Sequence, residues 1–154
     1  MSAGGGMAGG RRELEVRTRW RSEVVDITDQ VRGAVRESAL ARGFVHCFIP
    51  HTTAAITLNE RNDPKVVADL AAHLERLVPW NGAWTHPGNA AAHVKASLVG
   101  HALVLAVEDG ELQLGQWQGI FLCEFHGPRA RTVRLGIQAY AGGEGPGEAG
   151  VAEP

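Results

Sequence analysis

"ALVLAVEDGELQLGQWQGIFLCEFHGPRARTVRLGIQAYA", residues 102 to 141, decides the fold class. Its apolar segments "ALVLAV", "LQLG", "WQGIFLCEF" and "RTVRLGIQAYA" are short, rich in β-branched residues and joined by the turn sequences "EDGE" and "HGPR", which is the pattern of a β-meander. Upstream the pattern changes. "FVHCFIPHTTAAITL" (44–58) reads as two strand segments or one bent strand broken at Pro50, because proline removes a ladder donor. Asp63-Pro64 opens a helix in which Val67, Leu70, Leu74, Leu77 and Val78 recur at helical spacing until Pro79. Asn89 can cap a short helix running to Leu98. Nearer the start, Leu14, Val16 and Thr18 alternate with charged residues as in a half-buried strand, and Val24 to Ile27 reads as a second. Thr28 then offers an N-cap for a helix that Gly43 would stop. Strands interspersed with two main helices and a short third, without βαβ alternation, define an α+β, antiparallel-rich β-sandwich.

Composition bounds the function. A chain of 154 residues, 44% of them hydrophobic, supports one core, since a domain of this size removes roughly 70% of its unfolded surface from water. One domain over 12–141 is expected, with Gly-rich tails at 1–11 and 142–154 too poor in apolar residues to order. Fifteen Lys and Arg against seventeen Asp and Glu give a net charge of −2, so there is no basic field for nucleic acid. No apolar run approaches the ~20 residues of a spanning helix, and no charged-then-apolar leader opens the chain. Neither nucleic acid nor membrane is an expected partner, and a cytoplasmic protein is expected. Cys47 and Cys123, in apolar strands without Cys-x-x-Cys spacing, read as buried reduced thiols.

The polar residues that interrupt these apolar segments are the site candidates. In "HPGNAAAHVKASLVG" (86–100), helical spacing puts Ala91, Val94 and Leu98 on the docking face, with His93 and Ser97 roughly opposite. His86 precedes Pro87-Gly88 in a loop able to fold back on the helix N-terminus, where free N–H groups favour an anion, and Lys95 adds positive charge. That corner suits a phosphate, or a divalent ion held by two imidazoles. Strand alternation in "HTTAAITLNE" gives His51, Thr53, Thr57 and Asn59 one face. In "WQGIFLCEF" it sets Gln118 and Glu124 beside Ile120 and Leu122, so Glu124 needs a cation, a donor set or a raised pKa; Arg129 and Arg131 are the nearest arginines. Gln118 and Glu124 lie about 20 Å apart on a straight strand, too far for one small ligand. The expected core is therefore His51, His86, His93 and Glu124.

Together "HTTAAITLNE", "DP" at 63–64, "LVP" at 77–79, "HPGNAAAHVKASLVG", "LQLGQWQGIFLCEF" and "GPR" at 127–129 closely resemble the YjbQ family, over nearly all of 13–140. The resemblance implies a YjbQ-like α+β homotrimer with its histidine and glutamate motifs near subunit boundaries. It also implies a cytoplasmic transferase of thiamine biosynthesis, a secondary thiamine-phosphate synthase joining a pyrimidine-methyl diphosphate to a thiazole phosphate with release of diphosphate. The family's motif residues fall here on His51, Thr52, Asn59, Glu60, Asp63, His86, Asn89, His93, Lys95, Ser97, Trp117, Gln118, Glu124 and Arg129. Of these, His51, His93 and Glu124 are the expected catalytic residues. Thr52, Asn59, Glu60, Asn89, Lys95, Ser97, Gln118 and Arg129 are expected to bind a small phosphorylated substrate, and His86, His93 and Glu124 a divalent metal, Mg²⁺ or Zn²⁺. The chain departs from the family pattern at Gln116, usually Thr, at His126, usually Asp or a related polar residue, and in its short, less acidic segment between the two histidines. The rival readings are a metal-dependent hydrolase or lyase of another phosphorylated molecule, and a non-catalytic trimer binding a small anion.

Overall fold

The computed structural model describes residues 9 to 141. The tails expected at 1–8 and 142–154 lie outside the described residues. Residues 9–11 do not belong to a tail: strand β1 (Gly9–Arg17) begins there, because its backbone pairs with β8 (Ala130–Ala139) from Gly9↔Gln138 to Arg17↔Ala130. A ladder partner satisfies backbone groups that composition alone leaves unpaired.

Two antiparallel sheets form the sandwich. The five-stranded sheet has the order β1-β8-β3-β5-β6, built with β3 (Gly43–Phe48), β5 (Ala102–Glu108) and β6 (Glu111–Leu112); the three-stranded sheet has the order β2-β7-β4, from β2 (Glu23–Asp26), β7 (Gln118–Glu124) and β4 (Ala54–Glu60). The bend at Pro50 separates β3 and β4 into different sheets. Between them lies the core, in which Val45, Cys47, Ile56, Ile120, Leu122, Val133, Leu135 and Ile137 are buried. Helix α1 (Thr28–Glu37) adds Val31 and Val35 to it.

Two details of α1 differ from the sequence expectation. Thr28 does not cap the helix: its hydroxyl donates to Asp26 Oδ1 (2.5 Å) and accepts from the Ile120 N–H (2.9 Å), tying the helix start to β7. The helix also ends before Gly43. Ser38 caps it, and Ala39 takes the left-handed conformation at φ 55°. Gly43 instead opens β3, where a side chain would collide with the Gln138 carbonyl of β8.

Helices α2 (Pro64–Leu77) and α3 (Ala90–Val99) cover the outer face of the smaller sheet. The Asp63 carboxylate caps α2 through the Lys65 N–H (2.9 Å), as expected from Asp-Pro. The docking face of α3 differs from the expected one. Ala91 is buried as expected, but it is joined by Ala92, Lys95 and Ala96, while Val94 and Leu98 are 37% and 59% exposed. Small residues let the helix axis approach Ala55 and Cys123 of the sheet, so closeness of approach, rather than side-chain bulk, chooses the buried stripe. Both faces of β4 are consequently covered, with Ala54 and Ile56 in the main core and Ala55 under α3.

Candidate functional site

The deepest polar feature is the Glu124 carboxylate at the end of β7, fully buried. Its Oε1 accepts from Arg131 NH2 (2.5 Å) and from the His126 N–H (2.8 Å), and its Oε2 from Arg131 Nε (2.7 Å) and the Thr18 hydroxyl (3.0 Å). Arg131 also donates to the Thr53 hydroxyl (2.7 Å). Burial pushes the Glu124 carboxyl up, but the Arg131, His126 and Thr18 hydrogen bonds and the Arg131 charge together hold it below the ordinary glutamate value. Of the two arginines within reach in sequence, Arg131 is the partner. With two donors on each oxygen, this carboxylate has no lone pair to offer a metal or a substrate proton. The expectation of Glu124 as catalytic residue and metal ligand is corrected accordingly: it anchors the turn that carries His126 and Arg129.

Above that anchor a chain of side chains links three segments. His86 Nε2–H donates to Asn89 Oδ1 (3.0 Å), and Asn89 Nδ2 donates to His126 Nδ1 (3.2 Å). Arg129 reinforces the arrangement, donating from Nε to the His126 carbonyl (2.7 Å) and from NH2 to His126 Nδ1 (3.3 Å). Because a guanidinium only donates, His126 Nδ1 must accept, which leaves the ring proton on Nε2 and fixes the Asn89 amide orientation. Burial and the charges of Arg129, Arg131 and His93 lower the His126 pKa, against a raising influence from Glu124, so this imidazole is neutral at neutral pH. Trp80 packs on His126 with ring centroids 5.8 Å apart, and the Arg21 guanidinium lies 4.4 Å from the Trp80 ring.

His93 projects from the next turn of α3, edge-on to His86 at 5.2 Å between ring centroids. A cleft of about 330 Å³ opens beside them, walled by Trp84, Thr85, Ala90 and Val94. That volume suits a small ligand, with an apolar wall to hold its body and imidazoles to meet its polar end.

The remaining expected residues fall elsewhere. His51, just before β4, is half-buried, and its Nε2 accepts the Thr132 N–H (2.9 Å). Burial, Arg131, Arg134 and Arg129 outweigh Glu124 and lower its pKa, consistent with a ring nitrogen that must keep its lone pair. Lys95 is 2% exposed and paired with Glu75 of α2, so it braces α3 against α2 instead of facing a phosphate. Asn59, Glu60 and Gln118 sit at the far end of the β4·β7 ladder, where Glu60 pairs with Gln118 while Ala54 pairs with Glu124. There Gln118 accepts the Gly115 N–H (2.8 Å) and Asn59 the Glu60 N–H (2.8 Å). Thr52 is exposed in the loop before β4, and Ser97 is exposed on α3.

The expected metal set does not assemble. Among the described residues no three His, Cys, Asp or Glu side chains converge on one point, and a resident zinc needs three or four ligands. Glu124 is saturated and His86 Nε2 is engaged with Asn89, so the residues present do not fit the ion. Sequence reasoning passed over His126, Trp80 and Thr18. The signal for His126 was its adjacency to "GPR": a side chain at Gly127 would meet the Trp20 carbonyl and lie 2.8 Å from the Thr18 hydroxyl, so this turn is a forced close approach.

The fold and this corner define an antiparallel α+β sandwich whose helical side carries linked imidazoles. A family model described as "UPF0047 protein YjbQ-like" matches residues 12–140, and the chain belongs to that family. It is 46% identical over 126 residues to a UPF0047 protein of Methanocaldococcus jannaschii, covering 81% of this chain and 91% of that one. It is 42% identical over 124 residues to the UPF0047 protein YugU of Bacillus subtilis, covering 79% and 94%. Among solved structures, a YjbQ/UPF0047 protein of Clostridium acetobutylicum superposes with TM-score 0.80 at 43% identity, covering 82% of this chain and 98% of that one. A protein of unknown function from Sulfolobus solfataricus superposes with TM-score 0.83 at 34% identity, covering 88% and 100%. These relatives are named by family or described as of unknown function, so the thiamine-phosphate synthase activity implied by the resemblance is withdrawn. Lys95, one of the residues expected to bind the phosphorylated substrate, is buried instead. No helix among the described residues is long and apolar enough to cross a membrane.

Proposed function

We propose that the corner between α3 and the His126–Arg129 turn binds a small anion and exchanges protons with it through imidazole, as an enzyme acting on a small negatively charged molecule. One observation carries this reading: Asn89 joins His86 to His126 while Arg129 adds a fixed positive charge to the same ring. Three further features support it. His126 is neutral and carries its proton on Nε2, His93 stands beside His86, and the adjoining cleft has an apolar wall. The His126 Nδ1 lone pair is taken up by Asn89 and Arg129, so His126 offers the anion its Nε2–H, and His93 at the mouth of the cleft is the imidazole that exchanges the proton.

The same reading takes the protein as a cytoplasmic homotrimer. Leu98 (59% exposed) and Val94 (37%), one turn apart on α3, leave an apolar stripe next to His93 that a second copy would cover. The two buried free thiols suit a reducing compartment. Sedimentation of wild type and Leu98→Glu tests the assembly, the variant being expected to sediment as monomer.

Calorimetric titration with inorganic phosphate, malonate and a panel of sugar monophosphates tests the site, run in buffers of different ionisation enthalpy. Binding accompanied by proton exchange is expected, with affinity lowered about tenfold or more by Arg129→Ala, and the proton exchange lost in His93→Gln. If these variants bind every member of the panel as wild type does, the assignment is wrong.

A further inference from the structure

The other side of the sandwich carries a second feature. The outward face of the five-stranded sheet is not covered by α2 or α3, which pack on the smaller sheet. A trough of about 500 Å³ runs along it between Arg11, Arg12 and Glu13 of β1, His46 and Phe48 of β3, and Arg134 and Gly136 of β8. Gly136 makes its floor. The residue pairs with Arg11 on one side and His46 on the other. A Cβ there would meet nothing closer than the His46 Cβ at 3.9 Å, so neither packing nor backbone conformation requires glycine. Glycine inside a strand weakens the sheet and often marks a place where another molecule approaches the backbone.

The walls have a definite chemistry. His46 and Phe48 present parallel rings, 10° apart in plane with centroids 6.4 Å apart, and Phe48 is 36% exposed. Beside them stand three arginines against one glutamate. Arg134 is paired with Glu13 (3.1 Å), and the Arg12 guanidinium is steadied by the Arg11 carbonyl (3.0 Å). Among the described residues, the unpaired charge on this face belongs to Arg11 at one end of the trough, since Arg12 pairs in register with buried Leu135 and springs from the opposite side of β1. We propose that this trough binds a mononucleotide-sized aromatic phosphate, its ring on His46 and Phe48 over Gly136 and its phosphate against Arg11, with Arg134 two residues along the same face.

Charge selects this occupant. A second copy docking face to face would set like charges against one another, and the trimer contact proposed above lies on α3 instead. A polynucleotide needs an extended basic track, whereas the chain as a whole carries −2. A single phosphate matches the small excess of positive charge that Arg11 leaves on this face.

The test is amide NMR of the wild-type protein titrated with adenosine 5′-monophosphate, adenosine and inorganic phosphate. The monophosphate is expected to shift amides of β3 and β8, adenosine to bind about tenfold more weakly, and Arg11→Gln to weaken the monophosphate about tenfold. Gly136→Val is expected to abolish the shifts, with the rest of the spectrum showing that the sheet is intact; Gly136→Ala provides the smaller obstruction should valine disturb the fold. Arg129→Ala, in the imidazole corner, is expected to leave the β3 and β8 shifts as in wild type while weakening any shifts of α3, which separates this site from that one. Shifts confined to α3, equal binding of adenosine and its monophosphate, or retention of binding in the obstructed variants would each overturn the proposal. So would dilution-dependent shifts of the same amides without ligand, which would assign the face to a second copy.

Discussion

Replacing Arg131 with methionine should reverse the way stability depends on acid. In the native protein Glu124 is fully buried with Arg131 donating to both of its oxygens, and its pKa lies below the ordinary value. A carboxyl whose folded pKa is depressed contributes stability that is present above the unfolded pKa and lost as pH falls through the folded one. Arg131→Met removes the charge and two of the four donors, leaving the His126 N–H and the Thr18 hydroxyl against the cost of burial. Desolvation then raises the folded pKa, so this group's contribution is fully present below the unfolded pKa and lost as pH rises through the folded one. Breaking a buried pair by removing one partner costs about 3–5 kcal/mol. That is a large part of the ~5–15 kcal/mol by which domains are stable, and corresponds to a fall of about 10–15 °C in Tm. The double variant Arg131→Met, Glu124→Leu should recover most of the loss, because an apolar pair leaves no charge uncompensated. Urea unfolding of all three proteins across a pH series, from acid to neutral, measures this. A single variant within about 1 kcal/mol of wild type at neutral pH, or a double variant no more stable than the single, would refute the reasoning.

Three other outcomes follow from the same geometry. Gly127→Ala should destabilise the protein by about 1–3 kcal/mol in denaturant titrations, since the new Cβ meets the Trp20 carbonyl and the Thr18 hydroxyl. Ala96→Leu should cost about 1–3 kcal/mol by forcing α3 away from Ala55 and Cys123, whereas Leu98→Ala on the exposed side should change the monomer's stability by less than about 0.5 kcal/mol. The third concerns His126, whose folded pKa lies below the ordinary histidine value; its stabilising contribution is present above that value and is lost as pH falls through the folded pKa. The His126→Gln variant should therefore show a shallower loss of stability on acidification below neutrality than wild type, as followed by urea midpoints.

Much of the architecture was legible because it is written in short-range patterns. Asp63-Pro64 starts α2, the "HGPR" turn joins β7 to β8, and Pro50 divides β3 from β4, each through backbone chemistry acting within a few residues. The candidate site was legible in its members but not in its pairings. His86, Asn89, His93 and Arg129 do gather at one corner, while His51 and Glu124 are taken up by the Thr132 N–H and by Arg131. His126 was visible only as a departure from the family pattern and not as a member of the site, because its role depends on Asn89, 37 residues away in sequence.

Periodicity and turn chemistry alone determined that this chain is an antiparallel α+β sandwich with helices at these places, since each strand or helix advertises its own repeat. Only the tertiary structure decided which arginine neutralises Glu124, which stripe of α3 is buried, and which imidazoles meet. Those outcomes depend on the distance between segments far apart in the chain, and hydrogen bonding and close packing fall off within a few ångströms, so they exist only once the two sheets and their helices have come together.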